Sequence, residues 1–154
     1  MSQEQVEWRR GRRHAREAAF QMLYQCELGG LAPDEAEAAF RQIDGLGPML
    51  GAEARRFAST LLHGTVAGLA QIDPLIEASA EHWRLTRMAV VDRLVLRLAV
   101  FQLLHLPDVP PAVVIDESVE LAALFGGPES SRFVNGVLDA IRRRLEAGPR
   151  DEAP

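Results

Sequence analysis

The sequence predicts an all-α fold, a single-domain helical bundle of six to seven helices. Apolar residues recur at the three- and four-residue intervals of amphipathic helices, and no convincing alternating run indicates a strand. Glycine or proline stands where most of these apolar runs end. With 154 residues, 47% of them hydrophobic, the chain can bury the core of one ordinary domain.

The first three helices follow from apolar periods bounded by glycine or proline. Small and apolar side chains recur at helical spacing over about residues 10–28, and Gly29-Gly30 ends this helix. A second helix starts at Pro33-Asp34, and Leu46-Gly47-Pro48 is expected to form a linker after it. A third helix is expected over about residues 52–72.

The remaining helices include the most apolar part of the chain. Asp73-Pro74 is expected to cap a fourth helical segment, since proline is tolerated in a first turn. Residues 90–104 are apolar nearly all round, which predicts the central and most buried helix. Residues 111–125 and 129–145 form the last two helices, separated by Gly126-Gly127.

The two ends of the chain are polar and one of them contains prolines. We therefore expect disordered tails at residues 1–8 and 148–154 on either side of a helical domain over residues 9–147. No secretory or membrane segment is visible, because the longest apolar stretch is short and interrupted by polar residues. The single cysteine, Cys26, fits a reducing compartment, so we expect a cytoplasmic protein.

No catalytic constellation is recognisable. The four histidines are scattered, and the chain has no cysteine pair, no His-Glu-x-x-His and no Gly-x-Ser-x-Gly. Asp116 and Glu120 can share one helix face, but a solvated acidic face explains that spacing better than a metal or acid–base site. The sequence thus favours a binding protein, with no enzymatic activity, cofactor or metal.

Arginines at the start of the first helix form a candidate RNA-binding surface. The first sixteen residues hold five arginines and two glutamates, a local net charge of +3 in a chain of net charge −5. Closely spaced cations favour phosphate binding because each contact releases counterions. Arg12 and Arg16 share a face, Arg13 flanks them, and Tyr24 lies two turns further on, where it could stack on a base. A solvated helix start with a peripheral tyrosine remains open as the alternative.

The start of the last helix is a second candidate surface. Phe133 lies in its first turn beside Ser130 and Arg132, and helix N-termini suit phosphate groups. A core phenylalanine is equally compatible with the sequence. Gly136 in mid-helix costs about 1 kcal/mol against alanine, which either tight helix packing or the close approach of a partner could offset; of the two, we expect packing.

Charged residues also open the apolar central helix. Asp92 and Arg93 are adjacent, and Arg97 lies one turn after Arg93. These side chains could form one edge of a protein-docking face, but the sequence favours intramolecular ion pairs.

Several of these segments together carry a family resemblance. They are, in chain order, RRHAREAAFQMLYQ at residues 12–25, WRL at 83–85, VDRLVLRLAVF at 91–101, VVIDESVELA at 113–122 and FVNGVLD at 133–139. In this order and spacing they resemble the NusB family of bacterial transcription antitermination factors. The resemblance extends from about residue 11 to residue 145.

The resemblance implies an all-helical protein that binds the boxA element of ribosomal RNA leader transcripts. It also implies pairing with NusE, a small-subunit ribosomal protein, in an antitermination complex with RNA polymerase. By position it implies RNA contacts from the first helix and from the start of the last one: Arg12, Arg13, Arg16, Tyr24 and Phe133, with Ser130 and Arg132 beside them.

Two acidic positions also acquire roles from the resemblance. Glu129 falls where the family has an acidic residue that limits RNA affinity. Asp92, with Arg93 beside it, falls where an acidic residue supports partner docking.

Three departures from the family pattern all predict weaker RNA binding by this chain alone. Asp116 stands where the family commonly has asparagine, residues 77–80 lack an aromatic side chain that some relatives have, and His14 replaces a frequent third arginine. We therefore expect stronger reliance on the NusE partner.

Two other functions remain open on the sequence. The same helical domain resembles the RNA-targeting module of certain ribosomal RNA methyltransferases, although no Rossmann-like catalytic domain follows here, which favours a standalone factor. A helical protein–protein adaptor without RNA binding is the other alternative, and a homodimer that buries Arg12, Arg16 or Tyr24 would support it.

Overall fold

All regular elements of the described structure are helical. The computed structural model describes residues 1–42 and 50–148, and no β-strand occurs among them. Six α-helices and a 3-10 turn follow one another: α1 Gln3–Gly29, α2 Pro33–Arg41, α3 Ala52–Ala67, α4 Leu69–Ser79, the turn Leu85–Arg87, α5 Val90–His105 and α6 Pro111–Glu146. The all-α prediction is confirmed. The expected linker at residues 46–48 and residues 149–154 of the expected tail lie outside the described residues.

The helices form two compact units, Met1–Gly68 and Leu69–Pro154. In the first unit α1 packs against both α2 and α3, and in the second α5 packs against α4 and α6. Each unit has its own apolar core. The organisation as a single domain stays a prediction.

The first helix begins earlier than expected. Because α1 starts at Gln3, the prediction of a disordered tail over residues 1–8 is wrong for residues 3–8. A reciprocal pair of hydrogen bonds explains this start. The Gln5 backbone N–H donates to the Ser2 hydroxyl at 3.2 Å, and the Ser2 N–H donates to the Gln5 side-chain oxygen at 2.9 Å. This capping box satisfies two backbone donors that would otherwise lack helical partners.

The boundary between α3 and α4 also differs from the prediction. α3 ends at Ala67, where the Gly68 N–H donates to the carbonyls of Gly64 and Thr65, and α4 begins at Leu69. Pro74 therefore lies inside α4, and the expected cap at Asp73-Pro74 is wrong. The Asp73 side chain instead binds Arg97 of α5.

Residues 90–104 are predicted to form the central and most buried helix, and within the second unit α5 confirms this prediction. Half of the sixteen α5 residues are buried: Leu94, Val95, Leu96, Leu98, Ala99, Val100, Phe101 and Gln102. Gln102 is polar, but its side-chain amide donates to the Leu98 carbonyl at 3.1 Å, which offsets the cost of burying it. None of the helices in residues 1–42 and 50–148 has the length and apolar character needed to cross a bilayer.

The predicted break in the last helix is present inside α6. Gly127 has φ 85° and ψ −172°, a conformation essentially restricted to glycine, and Pro128 follows it. A Cβ atom at Gly126 would collide with the Ser130 side chain and lie 3.1 Å from Val91. These two glycines let α6 change direction while staying close to α5. If the segments before and after the break are counted as separate helices, the described residues contain seven α-helices, within the predicted six to seven.

The expected tight packing at Gly136 is wrong. This residue is exposed, and apart from its chain neighbours and the backbone of its own helix no heavy atom of the described residues lies within 4 Å of the place where its Cβ would stand. The helix-propensity cost of Gly136 is therefore not offset by packing inside the described structure.

We predict opposite effects on stability for alanine at these two glycines. Gly127→Ala should lower the free energy of unfolding by about 1–3 kcal/mol, because the backbone conformation itself is unfavourable for alanine. Gly136→Ala should raise it by up to about 1 kcal/mol, since Gly136 is helical and open. Urea denaturation followed by circular dichroism measures both, and equal effects would contradict the backbone explanation.

Candidate nucleic-acid interface

The arginines of α1 divide into an exposed and a packed group. Arg9, Arg10 and Arg13 are exposed, whereas Arg12 is half-buried and Arg16 is buried. The division follows the helix period, because Arg12 and Arg16 lie four residues apart on the side of α1 that faces α3. The cluster expected from the sequence is therefore present, but its members have different environments.

Arg12 is stacked on two aromatic rings of the first unit. Its guanidinium carbon lies 4.7 Å from the ring centroid of Trp8 and 3.7 Å from that of Phe57. Its Nη2 atom is 3.9 Å from a Glu53 carboxylate oxygen, and 23% of its side chain is exposed. Burial lowers the pKa of Arg12, Glu53 opposes that change, and the group stays charged at neutral pH because arginine titrates far above it.

Arg16 is more deeply packed than the sequence suggests. It is 5% exposed, and its guanidinium carbon lies 5.3 Å from the Phe57 ring centroid. A side chain in this position supports the contact between α1 and α3, and it presents almost no surface to a ligand. The expected RNA contact of Arg16 thus lacks an accessible side chain in this structure.

Tyr24 lies further along α1 with 38% of its surface exposed. Its ring is tilted by 43° against that of Phe20, at a centroid distance of 6.4 Å. Phe20 is part of the core, so it supports one side of the tyrosine, and part of the tyrosine remains exposed. This exposed aromatic ring is what base stacking requires.

The second unit carries the other predicted RNA-contact residues. Glu129 and Arg132 are exposed, and Phe133 is half-buried. The Phe133 ring meets the Trp83 ring edge to face, with the centroids 6.1 Å apart and the planes at 79°. Trp83 is 52% exposed, so the two rings form a partly open aromatic pair. Trp83 belongs to the WRL segment at residues 83–85, but its position along the chain indicates no role, because only the fold brings it to Phe133.

Ser130 contacts Asp92, although different roles are expected for these two residues. It is buried, and its hydroxyl donates to the Asp92 carboxylate at 2.6 Å. Asp92 is the expected partner-docking residue, whereas Ser130 is an expected RNA-contact residue. Since Ser130 is directed to Asp92 inside the second unit, it positions the start of the last helical segment.

The other charged residues of α5 also make intramolecular contacts, and the contact of Arg97 is an ion pair of the kind that the sequence favours. Arg93 donates to the carbonyls of Leu85 and Met88 at 3.1 and 3.4 Å. Arg97 forms two hydrogen bonds with Asp73, at 2.9 and 3.0 Å, a bidentate pair between α5 and α4. The carboxylate of this bidentate pair therefore comes from Asp73 of α4.

The fold also assembles one titratable cluster that the sequence does not reveal. His63 of α3 lies 3.5 Å from an Asp34 oxygen and 3.7 Å from a Glu37 oxygen, both on α2. Glu37 is also paired with Arg41 at 3.4 Å. Asp34 is almost fully exposed, and we interpret the cluster as a group of polar surface contacts between α2 and α3.

The fold and these side chains define a class: a small all-helical protein whose basic first helix carries exposed arginines and a tyrosine. Comparison with known proteins narrows this class. The chain belongs to the NusB family, whose model matches residues 13–143.

Relatives and solved structures agree with this family assignment. The transcription antitermination protein NusB of Koribacter versatilis is 45% identical over 138 residues, which cover 88% of this chain and 91% of that protein. A structure of T. maritima NusB is 37% identical with a TM-score of 0.76, and covers 86% of this chain and 90% of its own. A crystal structure of antitermination factors NusB and NusE in complex with double-stranded RNA contains a chain 32% identical to this one, with a TM-score of 0.77, covering 88% and 98%.

The two groups of arginines should respond differently to mutation. We predict that Arg16→Ala lowers the free energy of unfolding by about 1–3 kcal/mol, because it removes a buried stem and a cation–π contact with Phe57. Arg10→Ala, at an exposed position of the same helix, should change it by less than about 0.5 kcal/mol. Urea denaturation measures both variants, and a neutral Arg16→Ala would contradict a structural role.

Proposed function

We propose that this protein is an RNA-binding transcription antitermination factor that binds boxA-type RNA of ribosomal RNA leader transcripts together with the ribosomal protein NusE. Through NusE it would take part in an antitermination complex with RNA polymerase, in the cytoplasm. The proposal rests above all on one observation. In a member of the NusB family, Arg9, Arg10, Arg13 and Tyr24 are all exposed along the basic helix α1.

The chemistry of α1 fits capture of a single strand. Exposed guanidinium groups bind phosphate with two parallel hydrogen bonds and release counterions from the RNA. Tyr24 then offers a ring on which an unpaired base can stack. Arg13 and the partly exposed Arg12 are our proposed phosphate contacts among the positions that the resemblance indicates, and Arg16 keeps α1 in place.

The second unit supports a complementary role. Phe133 and Trp83 form a half-exposed aromatic pair, and Arg132 adds an exposed cation nearby in sequence. The exposed Glu129 brings a negative charge to the same turn, which would weaken RNA binding by repulsion and so limit affinity. We propose that Asp92 and Arg93 serve partner docking, with Ser130 holding Asp92 in position.

Fluorescence anisotropy with a labelled boxA-type RNA tests the proposal. A scrambled RNA of the same composition and a duplex form of the boxA sequence serve as controls, each measured with and without NusE. We expect selective binding to single-stranded boxA that tightens when NusE is added. Equal binding to the boxA and scrambled RNAs in the presence of NusE would refute the proposed function.

We predict that the exposed arginines carry the salt dependence of RNA binding. Arg9→Gln with Arg13→Gln should make the negative slope of log K against log salt concentration less steep by about 1.4, since each phosphate contact of a single strand contributes about −0.7 to it. Arg142→Gln with Arg143→Gln removes the same charge from the last helix and is the matched control. An equal change of slope in both double variants would show a general charge effect and would contradict a phosphate-binding role specific to α1.

Partner docking by Asp92 gives a separate prediction. Asp92→Arg should weaken NusE binding about tenfold or more, because reversing a charge at an interface introduces repulsion or an unpaired cation. Ser130→Ala removes the 2.6 Å hydrogen bond to Asp92 and keeps the carboxylate, so it should have a smaller effect. Calorimetric titration with NusE compares the two, and an unchanged affinity of Asp92→Arg would exclude Asp92 from the interface.

A further inference from the structure

Trp8 is an exposed aromatic residue outside the segment that matches the family model. It lies on α1 one turn before Arg12, outside the residues 13–143 that match the family model. Half of its surface is exposed, although tryptophan normally buries most of its large ring. The sequence places it in the expected tail at residues 1–8, and only the structure shows it on the helix.

The orientation of the Trp8 ring is constrained by two contacts within the first unit. Its indole N–H donates to a Glu53 carboxylate oxygen at 3.0 Å, and the Arg12 guanidinium carbon lies 4.7 Å from its ring centroid. Arg12 in turn lies against Phe57, which is part of the core. The exposed ring is therefore held in a defined place on the surface of the unit.

Cations and carboxylates balance around Trp8, so phosphate binding beside it depends on the exposed Arg9 and Arg10 and not on the net charge. Arg9 and Arg10 follow it directly in the sequence and are exposed, and Arg12 stacks on its ring. Three carboxylates, those of Glu4, Glu7 and Glu53, oppose these cations in the same region, and Glu53 is already paired with the indole and with Arg12. A held aromatic ring beside arginines is the arrangement that proteins use to stack a base while binding its phosphates.

We propose that Trp8 is a base-stacking platform that takes one unpaired nucleobase of the bound RNA. This inference rests on the proposed function, and it extends the RNA-binding surface of α1 by one turn beyond the positions that the resemblance indicates. Because Glu53 and Arg12 already restrict the ring, stacking costs little additional order in the protein. The ligand chemistry is a single-stranded nucleic acid, since the bases of a duplex already stack on one another.

Three variants separate stacking from helix structure and from simple apolar contact. Trp8→Leu keeps an apolar side chain but removes the ring, and it should weaken boxA RNA binding about tenfold without changing the salt slope. Trp8→Phe keeps a ring and should recover most of the affinity. Val6→Ala alters another exposed apolar residue of the same helix and should leave the affinity unchanged. Equal losses in Trp8→Leu and Val6→Ala would overturn the proposal in favour of a helix effect.

The influence of Trp8 on Arg12 needs its own control. In an Arg12→Gln background, Trp8→Leu should still weaken RNA binding severalfold if the ring itself contacts a base. If the tryptophan acts only by placing Arg12, the second substitution has no further effect, and the proposal is wrong.

Fluorescence gives a direct readout of stacking. Bound RNA should quench the emission of the wild-type protein, and Trp8→Phe should remove part of that quench. An RNA series with one abasic nucleotide at successive positions should abolish this part of the quench at a single position. If the wild-type protein binds boxA RNA but Trp8→Leu binds it equally well and no Trp8-dependent quench exists, the platform is refuted while the proposed function stands.

A protein partner is the competing occupant of this ring. If Trp8→Leu weakens NusE binding and leaves RNA binding intact, the surface is a protein contact and the proposal is overturned. If the wild-type protein binds no boxA RNA even with NusE, the proposed function itself fails.

Discussion

Phe57 determines which arginines of α1 are left for a ligand. Its ring packs against the guanidinium groups of Arg12 and Arg16, so two of the five arginines of α1 contribute to the packing of α1 against α3. A guanidinium group is weakly hydrated and planar, so it can lose water on an aromatic face at a lower cost than a lysine ammonium group. The basic helix can therefore bury one side without losing its charge, while its other side keeps its arginines in water.

What the sequence predicts well is local in origin. The helical periods, the apolar helix α5 and the break at Gly127 depend on neighbouring residues, and the structure contains all of them. The capping box between Ser2 and Gln5 is equally local, so the early start of α1 could have been predicted from the spacing of these two residues. The burial of Arg16 could not, because it depends on Phe57, which lies on another helix.

The same reasoning separates the aromatic residues of the candidate interface. Tyr24 is recognisable from the sequence because its distance from the arginines along α1 is set by the helix period. Trp83 acquires a role only through its edge-to-face contact with Phe133 of α6. Trp8 is missed for a different reason, since a polar chain terminus is a poor indicator of structure when a cap can order it.

The hydrogen bond between Ser130 and Asp92 couples ligand binding at these two residues of the second unit. A hydroxyl group has a single proton, and here it is directed to the carboxylate at 2.6 Å. Any ligand that accepts this proton would leave Asp92 with one donor fewer, and any ligand that neutralises Asp92 would weaken the acceptor that Ser130 now uses. If a ligand at Ser130 changes the affinity for a ligand at Asp92 by some factor, the ligand at Asp92 must change the affinity for the ligand at Ser130 by the same factor. Two binding events whose ligands share no atoms can thus be coupled through the proton of one hydrogen bond.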